Sequence, residues 1–325
     1  MSIHALMCCH NGGSYIGNQL ESMFKQTLPL DFVHIFDFAS SDNTVAEVER
    51  VSLLSQVPKI FITRMIDAPG ASLSFFRAFE HLALIIEDGD CIFLCDQDDI
   101  WFTQKVASVV SIYEEANYNP VERHIAVFHD VEVVDSQLVR LRPTFYTGNP
   151  FSVPRDLAPD RLLLANPVIG HTMAVSGALI KAVVRYLSAS NYLMHDWATI
   201  LLASRIGKVI YIPLVLSLYR QHSTNVLGAY RQRPLSEMVI RTKKFSELVV
   251  RQAVSFSGSL LALKADGLLI HQPKIDRALM RVDPKTQWLA FPLLAIWAIV
   301  RGPTLKRKGL GVFLIFSGMK QALRK

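Results

Sequence analysis

Short apolar runs alternate with longer stretches of helical spacing through roughly the first 135 residues of this chain, and few architectures accept that pattern. Ile3–Cys9, Phe32–Asp37, Lys59–Thr63, Cys91–Cys95 and Ile125–His129 read as strands. Between them, Tyr15–Gln26, Asn43–Leu54, Ser72–Ile86 and Thr103–Glu114 carry apolar residues at helical intervals. Strand followed by helix, repeated, predicts an α/β fold with a mostly parallel sheet and helices on both faces. Such sheets bind ligands beyond the carboxyl ends of their strands. Three polar clusters fall there: His10-Asn11-Gly12-Gly13, Asp37 through Asp42, and Asp96 through Asp99.

The third cluster points most directly at chemistry. Ile92–Trp101 runs from an apolar strand straight into Asp96, Asp98 and Asp99. On extended backbone, residues i and i+2 share a face, so Asp96 and Asp98 are expected to project together. Adjacent carboxylates repel unless a cation lies between them, and hard oxygen donors suit Mg²⁺ or Mn²⁺. The plainer reading is a solvated acidic loop before the helix that starts near Thr103, since carboxylates favour helix N-termini. Asp37 either accepts from a nucleobase or ribose, which its place at the sheet edge favours, or caps the turn that follows it. Asp196, ahead of an apolar helix, reads as an N-cap or as a general base. His222 reads as a surface histidine or as a metal ligand, and the residues alone leave both open.

After residue 135 the pattern loosens. Residues 136–170 are rich in Pro, Arg and turn formers and read as an irregular excursion. Gly170–Ser176 reads as a strand, Gly177–Leu187 and Trp197–Ile206 as helices, and Lys208–Ile212 and Val215–Tyr219 as two strands. The chain is expected to divide near residue 230 into a catalytic domain, 1–230, and a helical, basic region, 231–325. Leu235–Leu269 reads as one or two amphipathic helices, and Trp288–Val300 is an uncharged run of 13 residues. That is too short to cross a bilayer, which needs roughly 20.

Charge separates the same two regions. The net charge is +6, but residues 301–325 hold seven Lys or Arg and no acid, leaving 27 basic against 28 acidic residues before them. A nucleic-acid-binding face on the main domain is therefore not expected. With a mean hydropathy of +0.26, the basic tail and its short apolar runs fit helices lying on an anionic membrane surface. No leader sequence is recognised at Met1, so a cytoplasmic site on the inner face of the membrane is the expectation. The four cysteines, Cys8, Cys9, Cys91 and Cys95, match no standard zinc spacing and read as buried thiols.

Read in order, Cys9–Tyr15, Gln19-Leu20-Glu21-Ser22, Gln26-Thr27, Asp37 with Ser41-Asp42-Asn43-Thr44, and Phe93–Trp101 resemble family 2 glycosyltransferases. His195-Asp196-Trp197, Gly207-Lys208 and Tyr219-Arg220-Gln221-His222 resemble the bacterial rhamnosyltransferase-like branch, so the likeness spans about residues 1–230. It implies a GT-A fold, a nucleotide-diphosphate sugar donor, Mn²⁺ or Mg²⁺, and inversion at the sugar carbon. Carried over by position, it implies donor contacts from Cys9, Asn11, Asp37, Arg77, Asp96 and Gln97. It further implies metal ligands at Asp96, Asp98 and His222, and a catalytic base at Asp196. Trp101, Gly170, His171, His195 and Trp197 would stand on the acceptor side. The expected reaction moves a sugar, L-rhamnose from dTDP-L-rhamnose first, onto a lipid-linked or polymeric surface glycan. UDP-galactose, UDP-glucose or another hexose donor is the nearest alternative.

One departure bears on the nucleobase pocket. Asp37-Phe38-Ala39-Ser40 stands where the family usually has Asp-Asp-Gly-Ser, losing an acid and a permissive glycine. That erosion motivates a third reading, a non-catalytic scaffold in a glycan-assembly complex.

Overall fold

The computed structural model describes residues 1–54, 58–117, 123–149, 151–222 and 235–281. Its strands are β1 (Ile3–Cys9), β2 (Phe32–Phe38), β3 (Lys59–Met65), β4 (Cys91–Cys95), β5 (Ile100–Trp101), β6 (Ile125–Asp135), β7 (Arg140–Arg142), β8 (Met173–Ser176) and β9 (Lys208–Gln221). Among the described residues they form one nine-stranded sheet in the order β3-β2-β1-β4-β8-β6-β9-β5, with β7 beside β6. β3, β2, β1 and β4 run parallel, whereas β8 is antiparallel to both of its neighbours.

Successive residues of each inner strand enter opposite cores, as the period of two requires. Leu6, Phe36, Ile92 and Leu94 join one face, packed by α3 (Ala71–Leu82), the short α5 (Pro159–Leu162), α6 (Gly177–Tyr186) and α7 (His195–Ile206). Ala5, Met7, Ile35 and Phe93 join the other, under α1 (Ile16–Phe24), α2 (Thr44–Ser52) and α4 (Lys105–Asn117). Burial on both sides explains why these strands read as unbroken apolar runs. The register aligns Cys9 with Asp37 and Met7 with Cys95, so the three polar clusters leave the sheet along one edge.

Past residue 230, α8 (Leu235–Ala265) lays Val249, Val250, Ala253, Phe256, Leu260 and Leu263 into the same core as α3, α6 and α7. Arg205 on α7 and Asp276 on α9 (Lys274–Leu279) form a fully buried two-pronged ion pair at 2.9 and 3.0 Å. The runs Trp288–Val300 and Gly309–Gly318 and the basic tail lie outside the described residues. No helix among the described residues is long and apolar enough to cross a membrane.

Three local expectations change. Residues 170–172 form a 3-10 turn, and the strand begins only at Met173. The two strands expected around Pro213 are one, because β9 absorbs Pro213 and Leu214 where the register jumps from His129–Ile212 to Asp130–Val215. α7 starts at His195 with Met194 as its cap, so Asp196 lies in the first turn and is not the N-cap.

Candidate functional site

Beyond β4 the chain bends, and its three carboxylates take different surroundings. Asp96 keeps 42% of its side chain exposed, Asp98 15%, and Asp99 none. Asp98 Oδ2 stands 2.6 Å from His222 Nε2 at the end of β9, and Arg220 Nε donates to the Asp98 carbonyl at 2.8 Å. The His222 ring stacks on Tyr15 at 5.0 Å, and the Arg220 guanidinium lies 4.9 Å over the same ring. Asp99 accepts the Arg220 backbone N–H at 3.1 Å and meets His171 Nδ1 at 2.9 Å, an ion-pair contact out of line for a hydrogen bond. His171 Nδ1 also lies 3.7 Å from Asp96.

Burial pushes the Asp98 carboxyl up to about 8, with the charges of Asp99 and Asp96 adding to it. Burial alone would lower His171, but Asp99 and Asp96 outweigh it and hold the imidazole up at about 9. A carboxyl that must keep its proton at neutral pH marks a cluster short of positive charge. Oxygen donors with one imidazole fit a hard divalent cation such as Mn²⁺ or Mg²⁺.

Two groupings could hold such an ion. Asp96, Asp99 and His171 place ligand atoms within 4.8 Å of one another. Asp99 and His171 are each 1% exposed and already engaged with one another, which leaves Asp96 as the open member of that trio. Asp98 and His222, two of the three expected ligands, stand as a pair with 15% and 10% of their side chains exposed. Asp96 and Asp98 are thus near neighbours, but each leans on a different histidine.

The base candidate lies across a short turn. Asp196 Oδ1 accepts the Trp197 N–H at 2.5 Å. Burial lifts the Asp196 carboxyl to about 7, a hydrogen bond from the Trp197 backbone opposes the rise, and the charge of Asp96 adds to it. A backbone hydrogen bond from Gly170 also favours the ionised form. Gly170 fits closely there: a Cβ would lie 3.0 Å from His195 Nε2, which would have to yield slightly, and 3.5 Å from the Asp196 Cβ, in ordinary contact. Its neighbour His171 has its carbonyl held by Lys105 Nζ at 2.9 Å. Lys105 is wholly buried, sits 4.0 Å over the Trp101 ring, and is pushed down to about 7 by burial.

The expected donor side is a knot of loops. Asp37 is 4% exposed, accepts weakly from the Ser40 N–H at 3.4 Å and faces the Cys9 thiol at 3.7 Å. Cys9 is buried, and burial pushes its thiol up, so it backs Asp37 and offers no open surface. Asn11 Oδ1 accepts the Ser41 N–H at 2.8 Å, and the Asn11 N–H donates to Ser40 Oγ at 2.9 Å. Gln97 clamps His10, accepting its N–H at 2.9 Å and donating to its carbonyl at 3.2 Å. Arg77, on α3, pairs with Asp67 beyond the end of β3.

The residues expected on the acceptor side need correction. Trp101, Gly170, His171, His195 and Trp197 are all buried, so none presents an open acceptor surface. Trp101 packs on Phe93, Trp197 Nε1 donates to the Leu162 carbonyl, and His195 stacks 3.8 Å from Phe75. Burial drives His195 down to about 3, so it is neutral, and both ring nitrogens lack partners among the described residues. Trp101, His195 and Trp197 pack beneath the site, while Gly170 and His171 form the turn between Asp196 and the carboxylate cluster. The sequence placed Asp99 in the acidic cluster and Tyr15 and Arg220 within motifs without giving them a role, and Lys105 went unnoticed although it is a lone cation four residues after Trp101 at the head of an apolar helix.

Residues 5–146 match the sequence profile of Glycosyl transferase family 2. The dTDP-rhamnosyl transferase RfbG of Shigella flexneri is 25% identical over 236 residues, covering 69% of this chain and 74% of that protein. S. aureus TarS 1-349 in complex with UDP-GlcNAc shares the fold with a TM-score of 0.51 at 11% identity, covering 99% of this chain and 92% of the other. The mannosyltransferase PcManGT from Pyrobaculum calidifontis, in complex with GDP-Man and Mn²⁺, gives 0.50 at 16% identity over 99% and 80%.

Proposed function

We propose, from the match of residues 5–146 to Glycosyl transferase family 2, that the chain is an inverting, metal-dependent transferase moving L-rhamnose from dTDP-L-rhamnose to a lipid-linked or polymeric glycan. The observation that carries the reading is the separation of two kinds of carboxyl around the 170–172 turn. Asp96 and Asp98 form a charge-deficient cluster, while Asp196, poised near neutrality, stands across the turn within electrostatic reach of Asp96. That division suits a held diphosphate on one side and a proton acceptor on the other.

In this reading Asp96, Asp98 and His222 hold the cation, which when bound offsets the charge gathering on the departing diphosphate. Asp37, with the Asn11 and Gln97 loops, holds the nucleoside. Asp196 takes the proton of the acceptor hydroxyl. The freed oxygen bonds to the anomeric carbon as the bond to the diphosphate oxygen breaks, and that oxygen leaves with the electron pair. Attack opposite the leaving group inverts the centre.

Hydrolysis across a panel of nucleotide sugars tests the donor: dTDP-L-rhamnose turning over fastest supports the proposal, whereas preference for UDP-galactose or UDP-glucose keeps the mechanism and replaces the sugar. Asp98→Ala is expected to abolish Mn²⁺-dependent donor binding in calorimetry. Asp196→Asn is expected to keep donor binding and lose turnover, and normal turnover in that variant would remove Asp196 from the mechanism. The acceptor class and a peripheral position on the inner membrane face complete the proposal, supported by the one-signed charge of residues 301–325.

A further inference from the structure

Lys105 opens α4 with no solvent exposure at all; Asp99 and Asp96 act on its charge, yet it bonds to neither of them and is not the base. Burying an ammonium costs several kcal/mol unless what it touches compensates. Its contacts are the His171 carbonyl, at 2.9 Å, and the face of Trp101, 4.0 Å to the centroid.

That carbonyl belongs to the turn where the two halves of the site touch. On one flank the His171 imidazole meets Asp99 at 2.9 Å and Asp96 at 3.7 Å. On the other flank Gly170 packs closely on α7: an added Cβ would press on the His195 ring at 3.0 Å and touch the Asp196 Cβ at 3.5 Å. Asp99 extends the chain of contacts to the Arg220 backbone, two residues before His222. Trp101 anchors the far side through its own packing on Phe93.

We propose that Lys105 is a positioning residue: by gripping the His171 carbonyl, it fixes the separation between the Asp96–Asp98 carboxylates and the Asp196 carboxylate. The inference rests on the roles given above to those three acids. Releasing the turn lets the acceptor hydroxyl and the sugar carbon drift apart, and a displacement of about 1 Å costs roughly 100-fold in rate. Binding of the nucleotide, which uses the other side of the cluster, does not depend on that spacing.

The test compares Lys105→Met, which keeps the stem without the donor, with Lys105→Arg, which keeps a charged donor. Hydrolysis of dTDP-L-rhamnose, or of the sugar that the donor panel selects, is read beside calorimetry with Mn²⁺ and the matching nucleoside diphosphate, well below the melting temperature of every variant. Lys105→Met is expected to lose about 100-fold in kcat with KM and both affinities within about twofold, and Lys105→Arg to recover at least about tenfold of that loss. Lys105→Gln replaces the Met variant, with the same expectations, if the latter does not fold. Unchanged kcat in Lys105→Met overturns the inference. So does parallel loss of kcat and Mn²⁺ affinity, or an Arg variant no better than Met. Asp196→Asn separates the two failures: full turnover there sinks the functional reading itself, while a dead Asp196→Asn beside a fully active Lys105→Met sinks only the role of Lys105.

Discussion

As the proposed base, Asp196 would join burial, stability and turnover in one side chain. Its carboxyl, lifted to about 7, is half ionised near neutrality, and a base works only when ionised. Turnover is therefore expected to fall about tenfold per pH unit below about 7, measured as donor hydrolysis at saturating Mn²⁺. The stability effect has the opposite sign. The folded value lies above the ordinary one of 3.8, so the folded chain holds a proton that the unfolded chain releases. Stability falls as pH rises between those two values and stays lowered above about 7. Asp196→Asn, which cannot ionise, is expected to be more stable at pH 8 by on the order of 2–4 kcal/mol while being inactive. Chemical denaturation of both proteins at pH 8 and pH 4 checks this, because the gain should vanish at the lower pH. Asp37, Asp96, Asp98 and Asp196 were legible because strand ends and a helix start give short acids a fixed place. Lys105 was not, and His171 was named only for the acceptor side, because the bond that joins them spans 66 residues of chain.

Ala39 shows how an element can survive the loss of its preferred residue. It follows β2 with φ of +54°, the left-handed region that a Cβ disfavours. The turn thus keeps the backbone shape that the missing glycine would have served, and Asn11, at φ +50° on the facing loop, is a residue type that tolerates it. Ala39→Gly is expected to stabilise the protein by about 1 kcal/mol without loss of nucleotide affinity, read by denaturant midpoint and calorimetry. The retained shape answers the lost glycine, one of the two departures behind the scaffold reading, and leaves the lost acid at Phe38. Elements with one clear period were legible to within a few residues, as β1 and β4 show. Those whose boundaries depend on partners were not. Pro213 signalled a break, but β9 continues through it because β6 supplies pairing on both sides of the bulge. The 170–172 turn read as strand because its apolar neighbours are buried, which periodicity cannot tell from extended backbone.

At the scale of the whole molecule, the division near residue 230 is a boundary of composition, while packing runs across it. Removing Asp276 leaves Arg205 charged, with the Ser204 hydroxyl but no counter-charge, in a core that admits no water to either side chain. Asp276→Ala is expected to cost roughly 3–5 kcal/mol, with unfolding of the sheet and of α8 in a single transition by circular dichroism. Two separate transitions would mean that the C-terminal helices are an independent unit. Because α8 closes the core, a truncation before it would expose Val249, Phe256 and Leu260, so the membrane proposal is better tested by charge than by deletion. Lys306, Arg307 and Lys308 form the densest part of a tail with no acids. Each such cation is worth about 1 kcal/mol at an anionic surface. Reversing all three to Glu in the full chain should weaken binding to phosphatidylserine vesicles by roughly 100-fold or more and leave donor hydrolysis in solution unchanged. Vesicle flotation at low and at high salt reads the result. Equal flotation of the native and reversed chains would assign the tail to some other contact, since an electrostatic anchor must respond both to the sign of its charge and to screening.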